Sequence, residues 1–297
     1  MSKILVAGSS GLVGSDLVPF LIGAGNDVYR LVRKKSGSLH EILWDPSAGK
    51  INSDEIEGFD AVVNLSGDSI ATGRWSEQKK LNILKSRVET TALLAKTIAG
   101  LKRKPQVWVN ASAVGIYGDT GSVAVTEIAP DGTGFLADVC EAWEEAMLPA
   151  EKAGVRIVKV RIGMVLSGKG GALSAMLLPF KLGLGGVIGS GEQFMSWIAL
   201  IDLVRVINEV IVNQAYEGAV NAVSPQNVTN REFTKTLGKV LGRPTVLPMP
   251  AFAARLAFGE MADALLLSSA RVQPIRLEGA GYCFRFGELE LALRQGL

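Results

Sequence analysis

Short apolar runs alternate with longer stretches in which apolar residues recur every three or four positions, and this rhythm predicts strands separated by helices. Ile4, Leu5, Val6 and Ala7 form the first run and read as a buried strand. Leu12 to Gly23 follows as a helix with Leu17, Val18, Phe20 and Leu21 on or near its buried side, and Pro19 predicts a kink inside it. Val28–Val32, Glu41–Trp44 and Asp60–Leu65 are the next strands. A long helix from about Gln78 to Ala99 presents Leu81, Leu84, Val88, Ala92 and Ala95 as its apolar stripe, leaving Asn82 and Arg87 free to face a crevice. Gln106–Ala111 is a fifth strand with Ser112 at its end, and Val155–Val160 a sixth. Between them a helix runs from Phe135 to about Ala150, with Leu136, Val139, Trp143 and Met147 inward. Strands and helices in this order imply an α/β fold, a doubly wound parallel sheet whose ligand crevice lies at the carboxyl ends of the strands.

Past Met164 the pattern changes. Gly168 to Gly191 is dense in glycine yet carries the apolar piece Ala172–Leu182, so it predicts a loop, a helix and a loop wrapping the crevice mouth. Gly189, Ser190, Gly191 and Gln193 are expected on its substrate side. Trp197–Val212 reads mostly as helix and Ala219–Val223 as a strand returning to the sheet. Arg231–Leu241 is a helix capped by Thr229 or Asn230 and ended by Gly242. Thr245–Met249 is a short strand and Phe252–Leu267 a last helix.

The first strand runs straight into Gly8-Ser9-Ser10-Gly11-Leu12-Val13-Gly14. A glycine-punctuated turn between a buried strand and a helix is the start of a dinucleotide site. Gly8 permits the tight turn, Gly11 lets backbone N–H groups approach a pyrophosphate, and Gly14 lets the helix lie close to the strand. Ser10 and the N-terminal residues of the helix then face the phosphates at its positive end. At the tip of the second strand, nineteen residues past Gly14, stands Arg33 with Lys34 and Lys35, where a carboxylate would repel a 2′-phosphate. That choice favours NADP over NAD. Leu65, Ser66 and Gly67, at the end of the fourth strand, are candidates for backbone contact with the cofactor.

Bulk composition narrows the rest. With 31 basic and 29 acidic residues the charges nearly balance, so no nucleic-acid partner is implied. Two cysteines far apart, Cys140 and Cys283, fit a reducing cytosol, and the single histidine His40 leaves no plausible metal cluster. The apolar stretches are broken before a membrane span is reached, which predicts a soluble cytoplasmic chain, a monomer or homodimer acting on a small molecule. No phosphate loop of the G-x-x-x-x-G-K-[ST] kind and no G-x-S-x-G elbow occurs, which removes nucleoside-triphosphatase and serine-hydrolase readings.

Taken together, Gly8–Gly14, Asn64-Leu65-Ser66-Gly67, Ser86-Arg87, Ser112-Ala113-Val114-Gly115, Arg161–Leu166, Met176–Phe180, Gly189–Gln193 and Arg243-Pro244 resemble the extended short-chain dehydrogenase/reductase superfamily, in its atypical epimerase-like branch. The resemblance implies a Rossmann-type lobe over residues 1–164 and a smaller α/β substrate lobe over 165–297. It implies that Gly8, Gly11, Leu12, Val13, Arg33, Leu65, Ser66, Arg87 and Met164 touch NADP, and that Ser112 is the catalytic hydroxyl. The superfamily's Tyr and Lys, four residues apart on a helix, align with Leu136 and Cys140, with Glu144 keeping the register. Neither can exchange a proton as that pair does. Where the superfamily carries Arg for a nucleotide phosphate and a His, this chain has Met195 and Ala199, with Asp202 surviving beyond them. Two readings follow: an NADP(H)-binding epimerase-like oxidoreductase acting on an unknown hydroxyl or carbonyl compound, with Tyr117, Asp138 or Glu141 as substitute acid, or a non-catalytic NADPH-binding sensor or docking protein.

Overall fold

The computed structural model describes residues Met1 to Leu297. Strand β1 (Lys3–Ala7) leads through the glycine turn into helix α1 (Leu12–Gly23), which starts and stops where the sequence predicts. Then come β2 (Asp27–Val32), β3 (Glu41–Asp45), β4 (Lys50–Ile51), β5 (Ala61–Asn64) and the long helix α2 (Glu77–Gly100). Strand β6 (Val107–Ala113), helix α3 (Phe135–Glu145) and strand β7 (Arg156–Ile162) follow. Helices α4 (Gly171–Lys181) and α5 (Leu200–Val212), strand β8 (Gly218–Ala222), and helices α6 (Asn230–Leu241) and α7 (Leu289–Gly296) complete the main elements. The eight strands form one sheet in the order β8-β7-β6-β5-β1-β2-β3-β4, parallel throughout except for β4 at its edge.

Both faces of the sheet are covered, which is why its strands read as unbroken apolar runs. Ile4 and Val6 point to one face beneath Leu17 and Leu21 of α1 and Val204, Ile207 and Val210 of α5. Leu5 and Ala7 point to the other beneath Leu94 and Ile98 of α2. A third cluster, built by Leu173, Phe180, Trp197, Phe233, Leu237 and Leu293, is drawn entirely from the later part of the chain.

The apolar stripe of α2 lies elsewhere than periodicity suggests. Its buried residues are Ile83, Thr90, Thr91, Leu94, Ala95 and Ile98, while Leu81 and Ala92 are exposed. Two buried threonines masked the true stripe, and Arg87 sits on it rather than off it. Further along the chain, Trp197–Ala199 is a strand paired with Met164–Leu166, and the helix begins only at Leu200. Thr245–Met249 forms no strand, only a bridge from Met249 to Ile188. The helix expected over Phe252–Leu267 breaks at Gly259, whose φ of 64° no other residue adopts cheaply. Helix α6 starts at Asn230 and is capped by Thr229, one of the two caps the sequence offers, in a reciprocal box with Glu232, and it is closed by left-handed Gly242 as expected. No helix is long and apolar enough to cross a membrane.

Candidate functional site

At the carboxyl end of β1 the turn is held by contacts that only glycine allows. Gly8 has φ +76°, and a Cβ there would stand 2.6 Å from the carbonyl carbon and oxygen of Leu65. The end of β5 therefore leans on the turn, and the Leu65 amide donates to the Ala7 carbonyl at 3.0 Å. A Cβ on Gly14 would stand 2.7 Å from Ser9 Cα, so this glycine sets how close α1 lies to the turn. Gly11 begins α1 with no side-chain cap, and both Ser10 and Gly11 are exposed. Leu12 and Val13 are half-buried against the core. The result is a helix N-terminus whose backbone donors are left for a ligand.

Arg33, Lys34 and Lys35 are exposed at the tip of β2. The loop after them is folded back by Glu41, which accepts from the Ser36 amide and hydroxyl at 2.7 Å and from Arg30 at 2.9 Å. The Ser36 bonds hold the Glu41 carboxyl below the usual carboxylate range. That carboxylate is thus occupied by Arg30 and Ser36.

Across the turn, Asn64 is fully buried and donates to Thr91 at 3.0 Å and to Asn110 at 2.8 Å. Its side-chain Oδ1 accepts the Ser66 amide at 3.1 Å, which fixes the path of Leu65, Ser66 and Gly67. Gly67 is approached by Arg87, whose guanidinium carbon would be 3.1 Å from a Cβ there. That guanidinium lies 5.1 Å over the Trp143 ring and donates to the Ile83 carbonyl at 3.1 Å. Burial lowers its pKa from the ordinary arginine value.

Ser112 is placed differently from a free catalytic hydroxyl. It is 3% exposed and donates to Glu144 Oε1 at 2.7 Å. Glu144 also takes both arms of Arg161, at 3.0 Å each. Arg161 Nη1 donates to the Tyr117 hydroxyl at 3.0 Å, and that hydroxyl donates to Asn221 at 2.7 Å. Burial works against the charge on Arg161, but the bonds and charge of Glu144 outweigh it and hold its pKa above the ordinary value. Burial raises the Tyr117 pKa. Tyr117 is thus a strut between β7 and β8, and Asp138 and Glu141 lie exposed on α3. Sequence reasoning used Glu144 only for alignment and missed this buried network, because its members lie on β6, the turn Val114–Tyr117, α3, β7 and β8 and meet only in the fold.

Leu136 packs on Gly115, where a Cβ would stand 3.3 Å from the Leu136 Cβ. Cys140 is buried, and burial together with the Glu144 charge pushes its thiol up to about 11. Met164, just past the carboxyl end of β7, donates its amide to the Ser196 carbonyl at 2.8 Å and packs on the third core cluster, beside Leu166 and Trp197. Gln193, expected on the substrate side, is buried instead and donates to the carbonyls of Ile188 at 3.0 Å and Leu266 at 2.8 Å. Asp202 is also structural: it accepts the amides of Arg285 at 2.9 Å and Phe286 at 2.7 Å and ties down the C-terminal segment.

A doubly wound sheet with this glycine turn at its first crossover defines a Rossmann-type protein of the epimerase-like kind. The chain belongs to the NAD dependent epimerase/dehydratase family, whose profile matches residues 4–222. A second profile, described as a domain of unknown function, matches residues 249–295. An epimerase family protein of Mycobacterium leprae is 43% identical over 290 residues, covering 98% of this chain and 94% of the relative. The crystal structure of human epimerase family protein SDR39U1 with NADPH superposes with a TM-score of 0.90 at 35% identity, covering 99% of this chain and 98% of that one. A nucleoside-diphosphate sugar epimerase of Corynebacterium glutamicum gives 0.83 at 34% identity, covering all of this chain and 58% of that one.

Proposed function

We propose that the protein binds NADPH along the crevice and acts as an epimerase-like oxidoreductase on a small hydroxyl or carbonyl compound. The observation that carries this reading is the turn itself: Gly8 and Gly14 are packed too tightly for any Cβ, and the helix behind them starts without a cap. The human relative solved with NADPH supports the same cofactor. When bound, NADP(H) supplies the hydride donor or acceptor. The Gly11 amide is taken by the Gly8 carbonyl at 3.1 Å, so the backbone N–H groups of Leu12 and Val13 suit its pyrophosphate, and Arg33 suits the 2′-phosphate. Leu65, Ser66, Gly67 and Arg87 flank the rest of the crevice, with Met164 at its far end.

The chain's own proton chemistry is sparse. Leu136 carries no proton, Cys140 keeps its thiol proton, and Ser112 and Tyr117 are bound into the buried network. General acid–base groups commonly contribute about 10²- to 10⁴-fold in rate. Ordinary nucleotide sugars should therefore turn over barely above background even with NADPH bound. The cofactor assignment is tested by Arg33→Asp. Charge-assisted bonds to a phosphate contribute about 1.5–3 kcal/mol, so this variant should bind NADPH at least roughly tenfold more weakly and NADH unchanged. Equal weakening of both would place the 2′-phosphate elsewhere.

A further inference from the structure

Helix α2 carries a cation on its buried side. Arg87 lies one turn after buried Ile83 and one turn before buried Thr91. Burial works against its charge, which an arginine nevertheless keeps. Its Nη1 donates to the Ile83 carbonyl at 3.1 Å, and the guanidinium lies 5.1 Å over the Trp143 ring. Its Nη2 is turned to the end of β5 and would stand 3.2 Å from a Cβ on Gly67. The carboxylate whose charge reaches it, Asp68, is bonded to Lys79 at 2.7 Å instead. The Cys140 thiol, whose pKa is pushed up to about 11, supplies no anion. Glu144 takes Arg161 at 3.0 Å with Lys159 3.9 Å away, and Asp131 lies 3.8 Å from Arg161. Carboxylates and cations therefore balance around α3 and β7, and Arg87 is left uncompensated.

Its place in the sheet says which part of a ligand meets it. In a doubly wound sheet a dinucleotide lies across the carboxyl ends of the strands, with its pyrophosphate at the first turn. On the NADPH reading above, the 2′-phosphate goes to Arg33 at the tip of β2, on one side of β1. The nicotinamide half then crosses to the other side of β1, toward β5 and β6, the next strands in the sheet. Gly67 follows β5. Trp143 and Cys140 belong to α3, and the Ala113 amide at the end of β6 is turned to Cys140. Arg87 thus reaches in between the ends of β5 and β6, the nicotinamide side of the turn.

Resting on that reading, we propose that Arg87 selects the oxidation state of the cofactor: the site binds NADPH, whose nicotinamide ring is uncharged, more tightly than NADP⁺, whose ring is a cation. The two nucleotides carry the same phosphates, so any contact of Arg87 with a phosphate would favour both alike. Only the ring charge separates them. Two unit charges a few ångströms apart near a protein surface repel strongly enough to shift an equilibrium at least roughly tenfold. The chain therefore draws NADPH from a mixed pool and releases NADP⁺.

The test is calorimetric titration of the full chain with NADPH, with NADP⁺ and with 2′,5′-ADP, which keeps the 2′-phosphate and lacks the nicotinamide. The unaltered protein should bind NADPH at least roughly tenfold more tightly than NADP⁺. Arg87→Met should bring that ratio near unity and leave 2′,5′-ADP binding unchanged, whereas Arg87→Lys, which keeps the charge, should keep most of the ratio. Arg87→Gln retains a donor for the Ile83 carbonyl and repeats the test should the methionine variant not fold. Equal binding of NADPH and NADP⁺ by the unaltered protein, a ratio that removal of the charge leaves in place, or a ratio lost equally in Arg87→Lys would each overturn the inference and leave the cofactor reading standing. Loss of 2′,5′-ADP binding in the uncharged variants would assign Arg87 to a phosphate and also overturn it. Failure of the unaltered protein to bind NADPH would overturn the functional reading and this inference together.

Discussion

Gly14 is the residue with the least room for change. Its missing Cβ would collide with Ser9 and with the Gly8 carbonyl, so Gly14→Ala must push α1 away from β1. Overpacking of this kind costs about 1–3 kcal/mol. The variant should unfold at lower denaturant and bind NADPH far more weakly, and native stability with native NADPH affinity would show that the turn tolerates a side chain. The two cysteines make a second prediction. With its pKa near 11, Cys140 holds about one thiolate per thousand at pH 8, and the thiol is buried. Iodoacetamide should alkylate the folded protein once, at exposed Cys283, and mass mapping of the label to Cys140 would contradict that burial. The glycine turn and Arg33 were legible in the sequence because turn geometry and strand-tip charge are local properties. The surroundings of Ser112 were not, because Glu144 lies thirty-two residues away and meets it only when α3 packs beside β6.

Among elements, β6, α3 and β7 are joined by charge as well as by packing. Glu144 and Arg161 are each 6% exposed and share two bonds of 3.0 Å. Removing one partner strands the other charge in the interior, which costs about 3–5 kcal/mol. Chemical denaturation should show that loss for Glu144→Gln and for Arg161→Met. The double variant should lose clearly less than the sum, because the two residues act as one unit. Additive losses would mean that the pair is not coupled. Element order and type followed from hydrophobic rhythm, since each strand of a doubly covered sheet is apolar on both sides. Rhythm misplaced the buried side of α2 because Thr90 and Thr91 face inward, and Thr91 is bonded to Asn64 and Trp143. It also overextended the last long helix, which stops at Gly259, a residue that composition alone does not distinguish from a tolerated helical glycine.

At the scale of the whole molecule, the chain leaves the sheet after β7, builds part of the second lobe, and returns as β8 beside β7 before finishing that lobe. Asp202, in the first turn of α5, secures the segment around Arg285 and Phe286 to that helix. At the carboxyl ends of the strands lie the tightly packed glycine turn and, at the tip of β2, exposed Arg33. The account's central claim is that this crevice is built for NADPH. The most direct measurement is titration of the unaltered protein with NADPH and with NADH, followed by fluorescence or calorimetry. The account predicts NADPH binding at least roughly tenfold tighter, the share of affinity that one charge-assisted phosphate contact contributes. Equal or tighter binding of NADH would contradict it.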